Sequence, residues 1–190
     1  NDGGTTNAYT NNSAAMVYAT KLLNFEAGTY VFSYDWKTYG ESTYDYLRVA
    51  LVPSTVQLAA ATSVPSGFNA TSLPTGWIAL DGGGKLNLKS DWQTFASDEI
   101  QVAAGTYMMV FAWRDDTSGG SNPTAAIDNV SIEMVTCIKP RDLAVQGTPG
   151  KTSVVLNWTP DTESAWRIAY MSENDTTYSY KNVTSNPYTL

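Results

Sequence analysis

The sequence predicts an all-β chain, and three observations carry that expectation. Charged residues fill only 15% of the 190 positions, against about 25% in an average soluble domain, while Thr, Ser, Asn, Gly and Tyr crowd the polar places. Runs of strand length alternate apolar and polar side chains, and no stretch sustains the 3.6-residue period of an amphipathic helix. Turn-forming residues punctuate those runs at the interval of a β-sandwich: Ala27-Gly28, Tyr39-Gly40, Ser66-Gly67, Asp81 to Gly84, Ala104-Gly105, Ser118 to Pro123 and Pro149-Gly150.

Taken in chain order, the sequence opens on the turn Asn1-Asp2-Gly3-Gly4, with no signal peptide, and stops at Leu190 inside a strand-like run. Both ends therefore look cut from a longer polypeptide. Tyr30, Phe32, Tyr34 and Trp36 alternate with Val31, Ser33, Asp35 and Lys37, and Leu47, Val49 and Leu51 alternate with Tyr46, Arg48 and Ala50. Period two sends each set to one face of a sheet. Ala27-Gly28-Thr29-Tyr30 leading to Trp36-Lys37 is echoed by Ala104-Gly105-Thr106-Tyr107 leading to Trp113-Arg114, at a constant offset of 77. Equivalent strands in the two halves suit a sandwich spanning residues 1–136, each burying one face. Ala126 to Met134 reads as its closing strand.

Composition shifts at Cys137-Ile138-Lys139-Pro140. Beyond it, Leu143 and Val145, then Val154, Leu156 and Trp158, then Trp166, Ile168 and Tyr170 mark three alternating strands. Thr177 to Val183 and Pro187 to Leu190 add two more, too few to close a seven-stranded sandwich. Residues 137–190 are thus expected to form a second, incomplete sandwich.

Several function classes lose their chemistry at once. A net charge of −7 without a Lys/Arg cluster argues against nucleic acid and against docking on an anionic membrane. No apolar run approaches the roughly 20 residues of a membrane-spanning helix. The chain has no histidine, which removes Ser-His-Asp and Cys-His catalysis and imidazole metal sites. Cys137 is the lone cysteine, so there is no internal disulfide framework and no base partner for a thiolate. Paired carboxylates remain formally open, with Asp35, Glu41, Asp45, Asp115 and Asp116 as the acids to consider, but none has a diagnostic spacing. The six Asn-x-Ser/Thr triplets, at Asn11, Asn69, Asn129, Asn157, Asn174 and Asn182, follow from an Asn- and Thr-rich composition.

The aromatic residues pose the question of sugar binding. Trp36, Trp113, Trp158 and Trp166 lie in alternating patterns that predict core packing. Trp77 follows Pro74-Thr75-Gly76 in turn-rich surroundings and is the first candidate for an exposed ring, with Trp92 and Tyr44 beside it as ligand-binding candidates. Tyr39 and Tyr46 are ambiguous. Two or three such rings on one exposed face would make a binding platform.

Two resemblances follow from particular residues. Pro140-Arg141-Asp142-Leu143, Ser153 to Trp158, Ala165 to Tyr170 and Asn186 to Leu190 resemble a fibronectin type III module, an immunoglobulin-like sandwich, broken off before its last two strands. Phe32 to Lys37, Tyr44 to Val49, Leu51 to Pro53, Trp92 to Phe95, Gly105 to Tyr107 and Ala126 to Val130 are similar to the jelly-roll domains of the MAM and cleaved-adhesin group. That group is common in surface and secreted multidomain proteins of Bacteroidota. Its first strand would precede Asn1. The resemblance implies an adhesive, carbohydrate-binding or spacer role and no particular ligand. It further implies that Asp128 of Ile127-Asp128-Asn129-Val130 meets a structural calcium together with N-terminal residues, which are either Asn1 and Asp2 or residues that would precede Asn1.

The expectation is a jelly-roll β-sandwich followed by a partial fibronectin type III-like sandwich, secreted or displayed on a cell surface. It is not an enzyme but a module of a larger bacterial protein, contacting a glycan or a host surface or matrix protein. A structural spacer or assembly subunit is the alternative, whose clue is an edge strand left open by the incomplete second module. An accessory domain of a secreted protease or glycoside hydrolase is the third.

Overall fold

Alternation in the sequence becomes two packed layers in space. A computed structural model of the chain describes residues 8–136, 140–161 and 163–190; Asn1, Asp2 and Cys137 lie outside the described residues. No helix occurs among them, and every named strand pairs antiparallel. The chain divides into two compact units, Asn1–Val135 and Thr136–Leu190.

In the first unit, β1 (Ala15–Phe25), β7 (Gly105–Asp115), β3 (Tyr46–Pro53) and β4 (Ile78–Ala79) lie side by side in that order. The second sheet centres on β2 (Gly28–Thr38), flanked on one side by β8 (Ala126–Met134) and on the other by β5 (Lys89–Ala96) and β6 (Ile100–Val102) in succession. Between β5 and β6 the lane is interrupted: the Ser97 hydroxyl accepts from Phe32 N (3.0 Å) while Ser97 N donates to Phe32 O (2.8 Å). On the opposite side β8 bulges at Asn129, a non-glycine residue with φ of 49°.

The two sheets face each other across one core. Tyr30, Phe32, Tyr34 and Trp36 of β2 meet Leu47, Val49 and Leu51 of β3 and Met109 and Trp113 of β7. Tyr34 stands edge-on to Phe111 at 5.7 Å and stacks on Phe95 at 5.1 Å. Burying one such side chain is worth roughly 1.5–3 kcal/mol. The strands that echo each other at an offset of 77, β2 and β7, are the central strands of opposite sheets and face each other through this core.

The outer face of the β1-β7-β3-β4 sheet is covered as well. Residues 54–77 run across it without regular structure and bring Phe68, Leu73 and Trp77 onto Met16, Tyr46, Ala50, Val52 and Val110. Two fasteners hold this cover. Met16 and Ala61 exchange both backbone hydrogen bonds (2.7 and 3.0 Å). Arg48 is 1% exposed, bonds both carboxylate oxygens of Asp81 (2.5 and 3.2 Å) and donates to Asn69 O (2.5 Å) and Ser72 O (3.1 Å). An arginine buried on an outward position is stable only because its charge and donors are matched there.

In the second unit, β9 (Arg141–Gln146), β10 (Val155–Thr159) and β13 (Tyr188–Thr189) form one sheet, and β11 (Trp166–Tyr170) pairs β12 (Ser179–Val183) in another. Trp158 is buried and stands edge-on to Trp166 at 5.3 Å. Leu143 and Val145 stay exposed.

Candidate functional site

With one outer face of the first unit covered, the face of the β5/β6-β2-β8 sheet remains open. Odd-numbered β2 side chains point there because their even neighbours fill the core. Asp35 is opposite Thr94 of β5 and Asp128 of β8. Its carboxylate accepts from Thr94 Oγ1 (2.6 Å) and, through the bulge that turns Asn129 towards it, from Asn129 Nδ2 (2.7 Å). Those two bonds, Asn129 first, hold the Asp35 carboxyl below its ordinary range. Two residues before Thr94, Trp92 lies on the same face, 48% exposed, with Lys37 Nζ at 4.9 Å from the ring centroid. Ring, cation, carboxylate, amide and hydroxyl thus stand on adjacent strands.

A second set of polar groups collects at one end of the sandwich. The strand registers bring together the start of β1, the end of β2, the start of β3, the end of β7 and the start of β8. The β2–β3 and β7–β8 connections are tied by Gly40 and Ser121, which exchange backbone bonds of 3.0 and 2.9 Å. Carboxylate oxygens of Glu41, Asp45 and Asp116 all lie within 4.8 Å of one another. Asp45 is fully buried; its Oδ2 accepts from the Tyr9 hydroxyl (2.7 Å) and its Oδ1 from Asp116 N (3.0 Å). Glu41 Oε1 accepts from Tyr44 N (2.7 Å). Asp115 is 6% exposed and its Oδ1 has no hydrogen-bond partner. Burial, and then the neighbouring Asp45, pushes the Asp115 carboxyl up to about 7. The same causes, burial first and then Asp45, raise the Tyr9 hydroxyl above its ordinary value.

The residues singled out from sequence do not converge. Trp77 is half-buried under the loop cover, edge-on to Phe68 at 6.3 Å, and lines a groove of about 350 Å³ with Tyr18, Val56 and Leu58. Trp92 stands on the opposite, open face. Tyr44 is 46% exposed in the β2–β3 connection with Arg114 Cζ at 4.8 Å from its ring. Asp128 is exposed on the open face and accepts from Asn129 N (2.8 Å). Of the acids considered as a catalytic pair, Asp35 is on the open sheet while Glu41, Asp45, Asp115 and Asp116 gather at the end. Sequence reasoning did not join those four, which come from two connections some 70 residues apart. The signal that could have joined them is the 77-residue echo, since each connection directly follows one of the echoing strands.

In the second unit a groove of about 290 Å³ opens between Leu143, Trp158, Trp166 and Ile168, beside β11, whose one partner among the described residues is β12. In comparisons with known proteins, the chain matches no family and no curated protein.

Proposed function

We propose that residues 1–136 are a jelly-roll module of the MAM and cleaved-adhesin kind and residues 137–190 a partial fibronectin type III-like module. In this reading the chain is a non-catalytic part of a larger secreted or surface-displayed protein, and its open sheet contacts glycans. One observation carries the glycan reading: Trp92, exposed on the uncovered sheet, stands among Lys37, Asp35, Thr94 and Asn129. A sugar presents an apolar C–H face to a ring and hydroxyls to flanking donors and acceptors, and this face offers both on adjacent strands. Non-catalysis is supported by the absence of histidine.

A glycan array probed with the 190-residue chain, followed by titration of the hits, tests the proposal. Trp92→Ala should lower affinity at least tenfold with the fold unchanged, since stacking on a ring is lost while nothing in the core moves. An array without hits, or hits indifferent to Trp92→Ala, removes the reading. Binding to matrix proteins through the same tryptophan would keep the adhesive role and change its ligand.

The second unit supports an assembly role alongside. Its groove exposes Leu143 and borders the open side of β11, where an extended strand could add main-chain hydrogen bonds and insert alternate apolar side chains. Light scattering showing a monomer at all concentrations, with no peptide protecting β11 amides from exchange, would dismiss that role.

A further inference from the structure

The ring that carries the glycan reading already has an occupant. Lys37 Nζ lies 4.9 Å from the centroid of Trp92, a distance at which the negative face of an indole holds an ammonium. Two carboxylates stand further along the same open face: Asp35, two residues before Lys37 on β2, and Asp128, opposite Asp35 on β8. Lys37 is within reach of Asp35 along the strand, yet among the described residues no ion pair includes Asp35, Lys37 or Asp128. Asp35 accepts from two neutral groups, Thr94 Oγ1 and Asn129 Nδ2, and Asp128 from Asn129 N. The face therefore keeps its ammonium on the ring and its carboxylates without a counter-charge.

We propose that the sugars this face takes are amino sugars whose amine is free rather than acetylated. The inference rests on the glycan reading of Trp92 and names the class of sugar within it. Lys37 shows what the ring accepts, an ammonium on an apolar stem. A ligand that stacks on Trp92 displaces that ammonium and forfeits its attraction to the ring, unless the ligand brings a cation of its own. An amino sugar does so, and the Asp35–Asp128 pair offers it charged acceptors. Like charges directly opposite each other on neighbouring strands repel, and an ammonium shared between them relieves that repulsion. Asp35 is held as a carboxylate by Asn129 and Thr94, so it is charged under the conditions that protonate an amine.

Acidic sugars meet the reverse. Glu133, opposite Val31 on β8, and the exposed Asp98 and Glu99 between β5 and β6 add negative charge to the same sheet. With a net charge of −7 on the chain, uronic, sialylated and sulfated glycans are repelled before they reach the ring.

The 190-residue chain is titrated by calorimetry with a glucosamine trimer, its N-acetylated counterpart and a galacturonic acid trimer, at mildly acidic pH where the amine is protonated. The glucosamine trimer should bind at least about fivefold tighter than the acetylated one. That advantage should shrink as salt is added, and the acidic trimer should bind weakest. Asp128→Asn keeps an oxygen for Asn129 N but removes the charge, and should cut the advantage to below about twofold. Asp175→Asn, in an exposed turn of the second unit, should leave it intact. Lys37→Met vacates the ring and should strengthen binding of the glucosamine trimer by about threefold. Binding through Trp92 that is equal or tighter for the acetylated or acidic trimer overturns the inference and leaves the glycan reading standing. So does an advantage that survives Asp128→Asn or falls equally with Asp175→Asn, which would mark general attraction to an acidic chain. Weaker glucosamine binding by Lys37→Met overturns it as well, because Lys37 would then be holding the ligand. An array with no hits at all removes the glycan reading and this inference together.

Discussion

Replacing Arg48 by Met tests how the cover over the first sheet is held. The substitution leaves the Asp81 carboxylate in the interior with its backbone donors, Val49 N at 3.0 Å and Gly83 N at 3.1 Å, but without its counter-charge. It also strips Asn69 O and Ser72 O of their donor. Breaking one side of a buried pair costs about 3–5 kcal/mol, a large part of the ~5–15 kcal/mol that stabilises a typical domain. For a unit of this size, that corresponds to a fall in melting temperature of roughly 10–15 °C. Adding Asp81→Asn removes the stranded charge, so the double variant should recover about 1–3 kcal/mol relative to the sum of the singles. Amide exchange of the β3 and β7 peptides in urea reports the first unit by itself. A loss below ~1 kcal/mol for Arg48→Met, or strict additivity in the cycle, would show that apolar contacts alone hold the cover and refute the clamp.

Other expectations are as specific. Gly120→Ala places a methyl group against Asp45 and Tyr9 at a positive φ and should destabilise the first unit by more than ~1 kcal/mol, read by the same exchange measurement. Trp158→Ala empties the core of the second unit and should cost about 3–5 kcal/mol, so that the β9–β13 amides lose protection in an exchange experiment. Asp35, held as a carboxylate by Asn129 and Thr94, has a folded value below its unfolded one. Its contribution to stability is therefore present above the unfolded value and lost as pH falls through the folded one. NMR titration should show Asn129→Ala moving it back up.

The parts of the fold legible in the sequence are those where one strand face is buried along its whole length. β2 shows it residue by residue, and the core positions of Trp36, Trp113 and Trp158 follow from such alternation. β1 was not legible because its buried face changes midway: Met16 and Tyr18 pack under the loop cover, whereas Leu23 and Phe25 enter the core between the sheets. Adjacent Leu22 and Leu23 then blur the alternation. Arg48 sits at a polar position of an alternating strand, which reads as solvent-facing; its burial depends on Asp81, 33 residues on. The ring candidates suffered from the same blindness. Trp77 and Trp92 have similar turn-rich neighbourhoods, and only the path of residues 54–77 separates a half-buried ring from an open one. The end cluster required knowing which strand termini meet, a long-range fact that local spacing does not encode.

Both margins of the β5/β6-β2-β8 sheet are irregular: one is severed at Ser97 and the other kinked at Asn129. Neither presents an unbroken row of free amides and carbonyls, so a second molecule finds no template along which to extend the sheet. Neighbouring molecules are thus not zipped together along this sheet. In the second unit β11 keeps one margin without a partner among the described residues, and capping it with a charged residue such as Ala169→Lys should raise solubility while leaving the first unit untouched.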